Sequence, residues 1–583
     1  MFEKKVSSLM NQSVQLNQFV QEGLKISSET VSGNGALKYS TSGNEFVDNF
    51  AMLGNFKQPR TFAQVSKDME LLWSIDPVKT VKLALYTRLI TRKSQVVKSE
   101  NEIETLDSVQ RGQGLRNEGI MRMLWLAVNQ PLTFKENIYL FIAAGSWKDI
   151  ITMMNLDLQY HGWSGRKLDW NFLYVILLAG ITNPNTSNLV LKYLPTIRTN
   201  KKCTTLESQA DTIIGRWFAN RTFEFEHKPS NFSCYRRTKA SGLAHQWQRK
   251  ISKQLYNEIN FNTIAGRALA LLVSGDFLKN HNLVDKYSKW IMSKPVAKYT
   301  GYVHELFQPL GNGYRLHHIE DYKEMTINAQ FAQLVQTGKS GIDSQSKLLV
   351  VRDTSCSMTA TARGCTTSSY DIGKAMALYF SEFLTGPFAN SFAEFSDECV
   401  LKQWIGNTPC DKYINEKSES YGGTNFQSVI DLFIRLKEQG VEESEFPTGI
   451  LCISDGELNS CGTESNFNRA INRLRVSGFS DEYVNNFKII LWDIPNDYYS
   501  SNPRPKFEDF ANAPNFFYLS GYDPSAVAFI LGGNKPEFKA PKNAEELFES
   551  AMNQELLNRV KIVSIIKKYD RKKFIKEKYV KRK

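Results

Sequence analysis

Apolar residues recur at helical spacing through most of the first 340 positions. The pattern predicts helices over Val14–Leu24, Val78–Leu89, Ile120–Val128, Asn137–Met153, Phe172–Ile181 and Ile264–Phe277. Proline punctuates the series at Asn183-Pro184, Leu194-Pro195, Lys228-Pro229 and Lys294-Pro295. No strong β alternation is expected before about residue 346. Amphipathic helices in long succession predict stacked helix pairs, an α-solenoid of HEAT-like repeats.

The pattern changes at Lys347. The apolar run KLLVV predicts a strand, and others follow at Phe392–Phe395, Gly449–Ile453, Phe487–Trp492 and Phe516–Leu519. Helices are predicted between them at Asp371–Phe383, Phe426–Glu438 and Asn466–Val476. Strands alternating with helices predict a doubly wound, mostly parallel α/β sheet. The expected class is therefore α + α/β. Residues 1–345 are read as the helical-repeat domain, 346–540 as the α/β domain and 541–583 as a helical, basic tail.

Asp353-Thr354-Ser355-Cys356-Ser357 directly follows the first predicted strand. A DxSxS spacing brings one carboxylate and two hydroxyls around one point at a strand's carboxyl end, where ligands of such sheets sit. Further hard oxygen donors are offered by Thr424, after Gly422-Gly423, and by Asp455, after the predicted strand at Gly449–Ile453. Oxygen donors of this kind suit a divalent cation such as Mg²⁺ rather than zinc. The competing reading has Ser355 and Ser357 capping a helix and Asp353 in a turn. The ordered set resembles the metal-ion-dependent adhesion site (MIDAS) of von Willebrand factor A (vWA) domains. That resemblance implies an ion on Asp353, Ser355, Ser357, Thr424 and Asp455, direct or through water. Many vWA domains have glycine where this chain has Cys356.

A wider resemblance spans about residues 35 to 535. Gly35-Ala36-Leu37-Lys38-Tyr39-Ser40 with Gly43 and Phe46, Asp76-Pro77 with Leu83 and Arg88, and Gly114-Leu115-Arg116 open the series. Gly145-Ser146-Trp147-Lys148-Asp149, Lys192-Tyr193-Leu194-Pro195 and Tyr235-Arg236-Arg237 with Trp247 continue it. Tyr370-Asp371-Ile372, Phe395-Ser396, Gly422-Gly423-Thr424-Asn425-Phe426, Trp492-Asp493 and Leu519-Ser520-Gly521-Tyr522 complete it. In this order they resemble the vWA-containing TROVE proteins, the Ro autoantigen group. The resemblance implies a ring of helical repeats closed by the vWA domain. It also implies a ribonucleoprotein component that binds misfolded or small noncoding RNA with single-stranded ends.

Charge bears on that implication. The 583 residues carry a net charge of +12, but twelve basic and two acidic residues between Arg559 and Lys583 account for +10 of it. The body is nearly neutral, which makes local basic runs informative. His227–Asn257 holds Lys228, Arg236, Arg237, Lys239, Arg249, Lys250 and Lys253 with no acid. Phe232, Tyr235, Trp247 and Tyr256 interleave. Basic groups neutralise phosphates and aromatic faces stack unpaired bases. These seven cations are the candidate RNA contacts, against the reading of a solvated helix face with its aromatics in the core.

The eight cysteines form no CxxC pair and read as small buried apolar residues, not as a zinc or disulfide framework. No run approaches the ~20 apolar residues of a membrane span. MFEKKVSSLMNQ lacks an apolar region, so no secretory signal is expected. A cytoplasmic monomer is the expectation. No catalytic triad or paired-carboxylate motif is visible, so an enzyme is not expected; metal-dependent nucleic-acid processing is the minority alternative. The main rival function is a scaffold that binds a protein partner's carboxylate at the metal, with no specific RNA role.

Overall fold

A computed structural model describes residues 29–31, 34–54, 60–97, 102–198, 203–223, 228–242, 247–313, 315–339, 347–382, 388–496, 498, 514–531 and 541–563. The helix expected at residues 14–24 and the tail 564–583 lie outside the described residues.

The first half is helical, as the spacing predicts. Pro77–Arg88, Arg116–Asn129 and Trp170–Thr182 coincide with predicted segments. Asp76 caps the first of these by accepting from the Lys79 N–H at 3.0 Å, with Pro77 at the first helical position where no N–H is needed. The helix expected at Asn137–Met153 is two helices, Pro131–Ala144 and Trp147–Gly165. They break at Gly145-Ser146 because Ser146 and Asp149 form a reciprocal capping box. Asp149 also pairs with buried Arg88 at 2.8 Å. A Cβ on Gly145 would lie 2.1 Å from the Asp149 carboxylate, so only glycine fits there.

The first half is not free of β structure, contrary to expectation. Two antiparallel ribbons pair Glu29–Val31 with Leu37–Tyr39 and Gln95–Val97 with Ile103–Thr105. Three-residue strands are too short for period-2 alternation to show.

The second half holds a six-stranded sheet of β1 (Leu348–Asp353), β2 (Ser391–Phe395), β3 (Cys399–Gln403), β4 (Gly449–Ser454), β5 (Lys488–Asp493) and β6 (Phe516–Ser520). Its order is β6-β5-β4-β1-β2-β3, parallel except for β3. β1, β4 and β6 are buried at every position, which is why they read as unbroken apolar runs. β3, unforeseen in the sequence, is the antiparallel edge and is largely exposed. The helices Ser369–Ser381, Gln427–Glu438 and Asn466–Val476 stand where the sequence predicts them.

The two regions and the C-terminal segment do not lie apart as the linear boundaries imply. Phe46 packs on Phe548, ring centres 5.6 Å apart. Gly54 meets Gly521 at the end of β6, where an added Cβ would approach the Gly521 nitrogen to 2.2 Å. Gln554 exchanges hydrogen bonds with the Arg111 backbone at 2.7 and 2.8 Å. Leu547, Phe548, Leu556 and Leu557 are fully buried, so the described part of the segment read as a tail, residues 541–563, packs onto the core. Of the cysteines, Cys399, Cys410 and Cys452 are buried as expected, but Cys356 is exposed. Among the described residues no helix is long and apolar enough to cross a membrane.

Candidate metal centre and basic surface

Asp353 ends β1, and Asp455 follows Ser454 at the end of the neighbouring strand β4. Between these strands the order of the sheet reverses, and the crevice at their carboxyl ends is the natural ligand position of such folds. Both carboxylates are fully buried. Asp353 Oδ1 accepts from the Ser355 N–H at 2.8 Å, and its Oδ2 accepts from the Ser454 hydroxyl at 2.5 Å. The Ser355 and Ser357 hydroxyl oxygens lie 3.2 Å apart. Asn496 Nδ2 donates to Asp455 Oδ2 at 2.9 Å and to the Ser357 carbonyl at 3.1 Å, tying the β4 end to the DxSxS loop.

Thr424 is held against the same loop. The Ser420 hydroxyl donates to the Ser355 carbonyl at 2.7 Å, and the Tyr421 N–H donates to the Thr354 carbonyl at 3.0 Å. Gly422 has φ +75°, and a Cβ there would lie 2.3 Å from an Asp397 carboxylate oxygen. That explains the glycine pair before Thr424: Asp397 accepts from the Gly423 N–H at 2.9 Å and shapes the turn. The Thr424 hydroxyl accepts from Asn34 Nδ2 at 3.4 Å, and the same amide donates to the Glu457 carbonyl at 2.6 Å.

Asp353, Ser355, Ser357, Thr424 and Asp455 are each no more than 3% exposed. Burial, and after it the charge of Asp455, push the Asp353 carboxyl up to about 7. Among the described residues no lysine or arginine forms an ion pair with Asp353. Arg352, one residue away, points to the opposite face of the strand and is taken by Glu394 at 3.0 Å and Glu416 at 2.9 Å. Two buried carboxylates with hydroxyl oxygens around them are a costly arrangement that a hard divalent cation offsets. These donors fit Mg²⁺.

Asn34, Ser454, Asn496 and Asn459, whose Oδ1 accepts from the Thr424 N–H at 3.2 Å, escaped sequence reasoning. Asn34 stands 390 positions from Thr424, and no spacing rule connects them. The adjacent histidines 317 and 318 have different partners, His317 lying 3.3 Å from the Arg315 carbonyl. His318 meets Glu324 and Asp411 with ligand atoms within 4.8 Å. Asp411 already completes a capping box with Thr408, and Glu324 already accepts from the Ile319 N–H at 3.0 Å, so both have a structural reason to be there.

The basic strip is only partly a free surface. Arg236, Arg237 and Lys253 are exposed, and among the described residues none is ion-paired. Arg249 and Lys250 are half-buried; Lys250 donates to the Glu258 carbonyl at 2.6 Å. Lys239 is turned inward to the carbonyl of Leu194 and the Thr196 hydroxyl, and burial lowers its pKa. The side chain of Lys228 lies outside the described residues. The interleaved aromatics do not offer stacking faces. Tyr235 is buried with its hydroxyl on the Pro195 carbonyl at 2.6 Å, and Tyr256 stacks on His281 at 3.9 Å.

A different stretch carries one exposed ring, Trp163, beside a cation. Trp163 is 43% exposed, with the Arg166 guanidinium 4.3 Å over its ring. Trp170, Trp217 and Tyr174 extend the series, and Arg221 lies 5.0 Å over Tyr174. The spacing Trp163, Arg166, Trp170 is visible in the sequence, though helical periodicity assigns such rings to a core.

No family model and no curated protein matches the chain. Among solved structures the chain is similar to the crystal structure of Deinococcus radiodurans RO (RSR) protein, at 13% identity and a TM-score of 0.32. The match covers 75% of this chain and 87% of that one. A likeness of that degree assigns neither fold nor function.

Proposed function

We propose that this chain is an RNA-binding protein resembling the Ro group, with a helical-repeat half and a vWA-like half ordered by a divalent cation. The cation, Mg²⁺ by the chemistry of its donors, is held by Asp353, Asp455 and the hydroxyls of Ser355, Ser357 and Thr424. The observation that carries the metal part is the pair of adjacent buried carboxylates with no ion-pairing base on Asp353 among the described residues. The burial of all five donors favours an ordering role over capture of a partner's carboxylate, because a protein ligand needs an open coordination position.

The RNA part rests on the acid-free exposed cations Arg236, Arg237 and Lys253 and on the ordered motif series. The tryptophan–arginine surface at Trp163 and Arg166 adds a stacking face of the kind single strands use. The reading includes no catalytic step.

The test is a salt-titrated binding assay with single-stranded RNA, a hairpin, and a hairpin with a single-stranded 3′ tail. The full chain is compared with one ending at Val563, which keeps buried Leu556 and Leu557. Preferred binding of the tailed RNA by both forms supports the reading. Binding that ignores RNA form and disappears with residues 564–583 sinks it, and leaves a cation-ordered scaffold.

A further inference from the structure

A cavity of about 640 Å³ opens between the ribbon Gln95–Val97/Ile103–Thr105, the junction of Pro131–Ala144 with Trp147–Gly165, and the turn before Ser187–Tyr193. Its size falls within the roughly 300–1,000 Å³ of small-molecule clefts. Arg92 and Lys93 line it, and no aspartate or glutamate does.

The Arg92 guanidinium is held in place. It donates to the Ala143 carbonyl at 3.2 Å and the Gly145 carbonyl at 2.7 Å, at the buried carbonyl end of a helix. Burial, then the nearby charge of Arg88, lower its pKa from the usual guanidinium value. More cations stand around Tyr193, which also lines the cavity. Lys192 Nζ lies 5.7 Å from that ring, and Lys148 and Arg116 are close enough to act on Lys192 and Tyr193 respectively. Asp149, which acts on Arg92 and Tyr193, is engaged by Arg88 at 2.8 Å and Arg116 at 3.5 Å. Glu104 on the ribbon is bound to Arg559 at 3.0 Å. Two cations and no acid therefore line the cavity. Gln95, Thr105 and Asn185 add neutral donors and acceptors to its wall.

We propose that this cavity binds a phosphate-bearing ligand of nucleotide size, its phosphate on Arg92 and Lys93 and its polar edge on Gln95, Thr105 and Asn185. Clustered cations in a walled cleft favour a multiply charged anion, and an amide and hydroxyl rim favours a sugar or base over bare phosphate. Such a unit comes either free or as part of an RNA chain. The inference stands independently of the RNA reading.

The experiment is calorimetric titration of the full chain at low salt with ADP and, separately, with a 5′-phosphorylated single-stranded RNA decamer. Three variants are compared: Lys93→Glu, Asn185→Ala and Arg92→Lys. Lys93 and Asn185 are exposed, so their replacement leaves the fold intact even if Arg92→Lys does not. The expected result is binding of at least one probe, weakened roughly tenfold or more by Lys93→Glu and measurably by the neutral Asn185→Ala. ADP affected alone identifies a free nucleotide site; RNA affected identifies a chain subsite. No binding of either probe overturns the proposal, as does binding that both exposed variants leave unchanged. RNA binding that ignores these variants removes the pocket and spares the RNA reading; ADP binding without RNA binding does the reverse.

Discussion

Ser454 donates its hydroxyl to Asp353 at 2.5 Å, across the two strands between which the sheet order reverses. The serine thus helps hold a buried carboxylate toward Asp455, the next residue along its own strand end. Under the proposed function a divalent cation would join the two carboxylates and offset the cost of burying their charge.

Asp353→Asn removes one charge while keeping an oxygen for the Ser355 N–H. The wild-type chain is expected to gain thermal stability on adding Mg²⁺ after chelation, and the variant to gain none. Differential scanning calorimetry with and without Mg²⁺ measures this. An equal gain in both would remove Asp353 from the ion's ligands.

The pH response has a definite sign. The Asp353 carboxyl is raised in the folded state, from 3.8 to about 7, by burial and by Asp455. Between those values the folded chain holds more protons than the unfolded one, so stability falls as pH rises through that window. The chelated protein should therefore melt at a lower temperature at pH 8 than at pH 5.5. Mg²⁺ should restore most of the difference at pH 8 and little at pH 5.5. A chelated melting point that climbs steadily with pH contradicts the assignment.

Gly422→Ala places a methyl against the Asp397 carboxylate and asks a non-glycine residue to hold a positive φ. Left-handed backbone alone costs about 1–2 kcal/mol. The turn that presents Thr424 should shift, weakening Mg²⁺ binding with the fold retained. Circular dichroism and a Mg²⁺ titration separate the two effects.

Leu557→Ala should destabilise by about 2–5 kcal/mol, as expected for a fully buried leucine. A chain ending at Met552 should fare worse, because it loses the Gln554 exchange with Arg111 as well. One ending at Val563 should unfold like the full chain. Urea melts decide among these.

Arg237→Gln with Lys253→Gln removes two exposed cations from the acid-free strip. If both meet phosphates, the salt slope for single-stranded RNA becomes shallower by about 1.4, at ~0.7 per contact. Lys239→Gln should affect stability instead, since its amine is engaged with the Leu194 carbonyl and the Thr196 hydroxyl. An unchanged slope in the double variant would place the RNA surface elsewhere, with the Trp163–Arg166 face as the next candidate.

What the sequence determined by itself was local. Apolar spacing set the helices Pro77–Arg88 and Asn466–Val476, and the fully buried strands β1 and β4 showed as unbroken apolar runs. Asp353, Ser355 and Ser357 were legible because a five-residue loop at a strand end brings them together without help from distant chain. Tertiary structure alone decided which carboxylates were buried side by side, that Asn34 and Asn496 reach the centre, and that residues 541–563 pack onto the core. It also turned Lys239 and Tyr235 inward, where composition had offered them as surface. The reason is physical: a side chain's partners within a few residues follow from backbone geometry, while burial depends on packing between segments hundreds of positions apart.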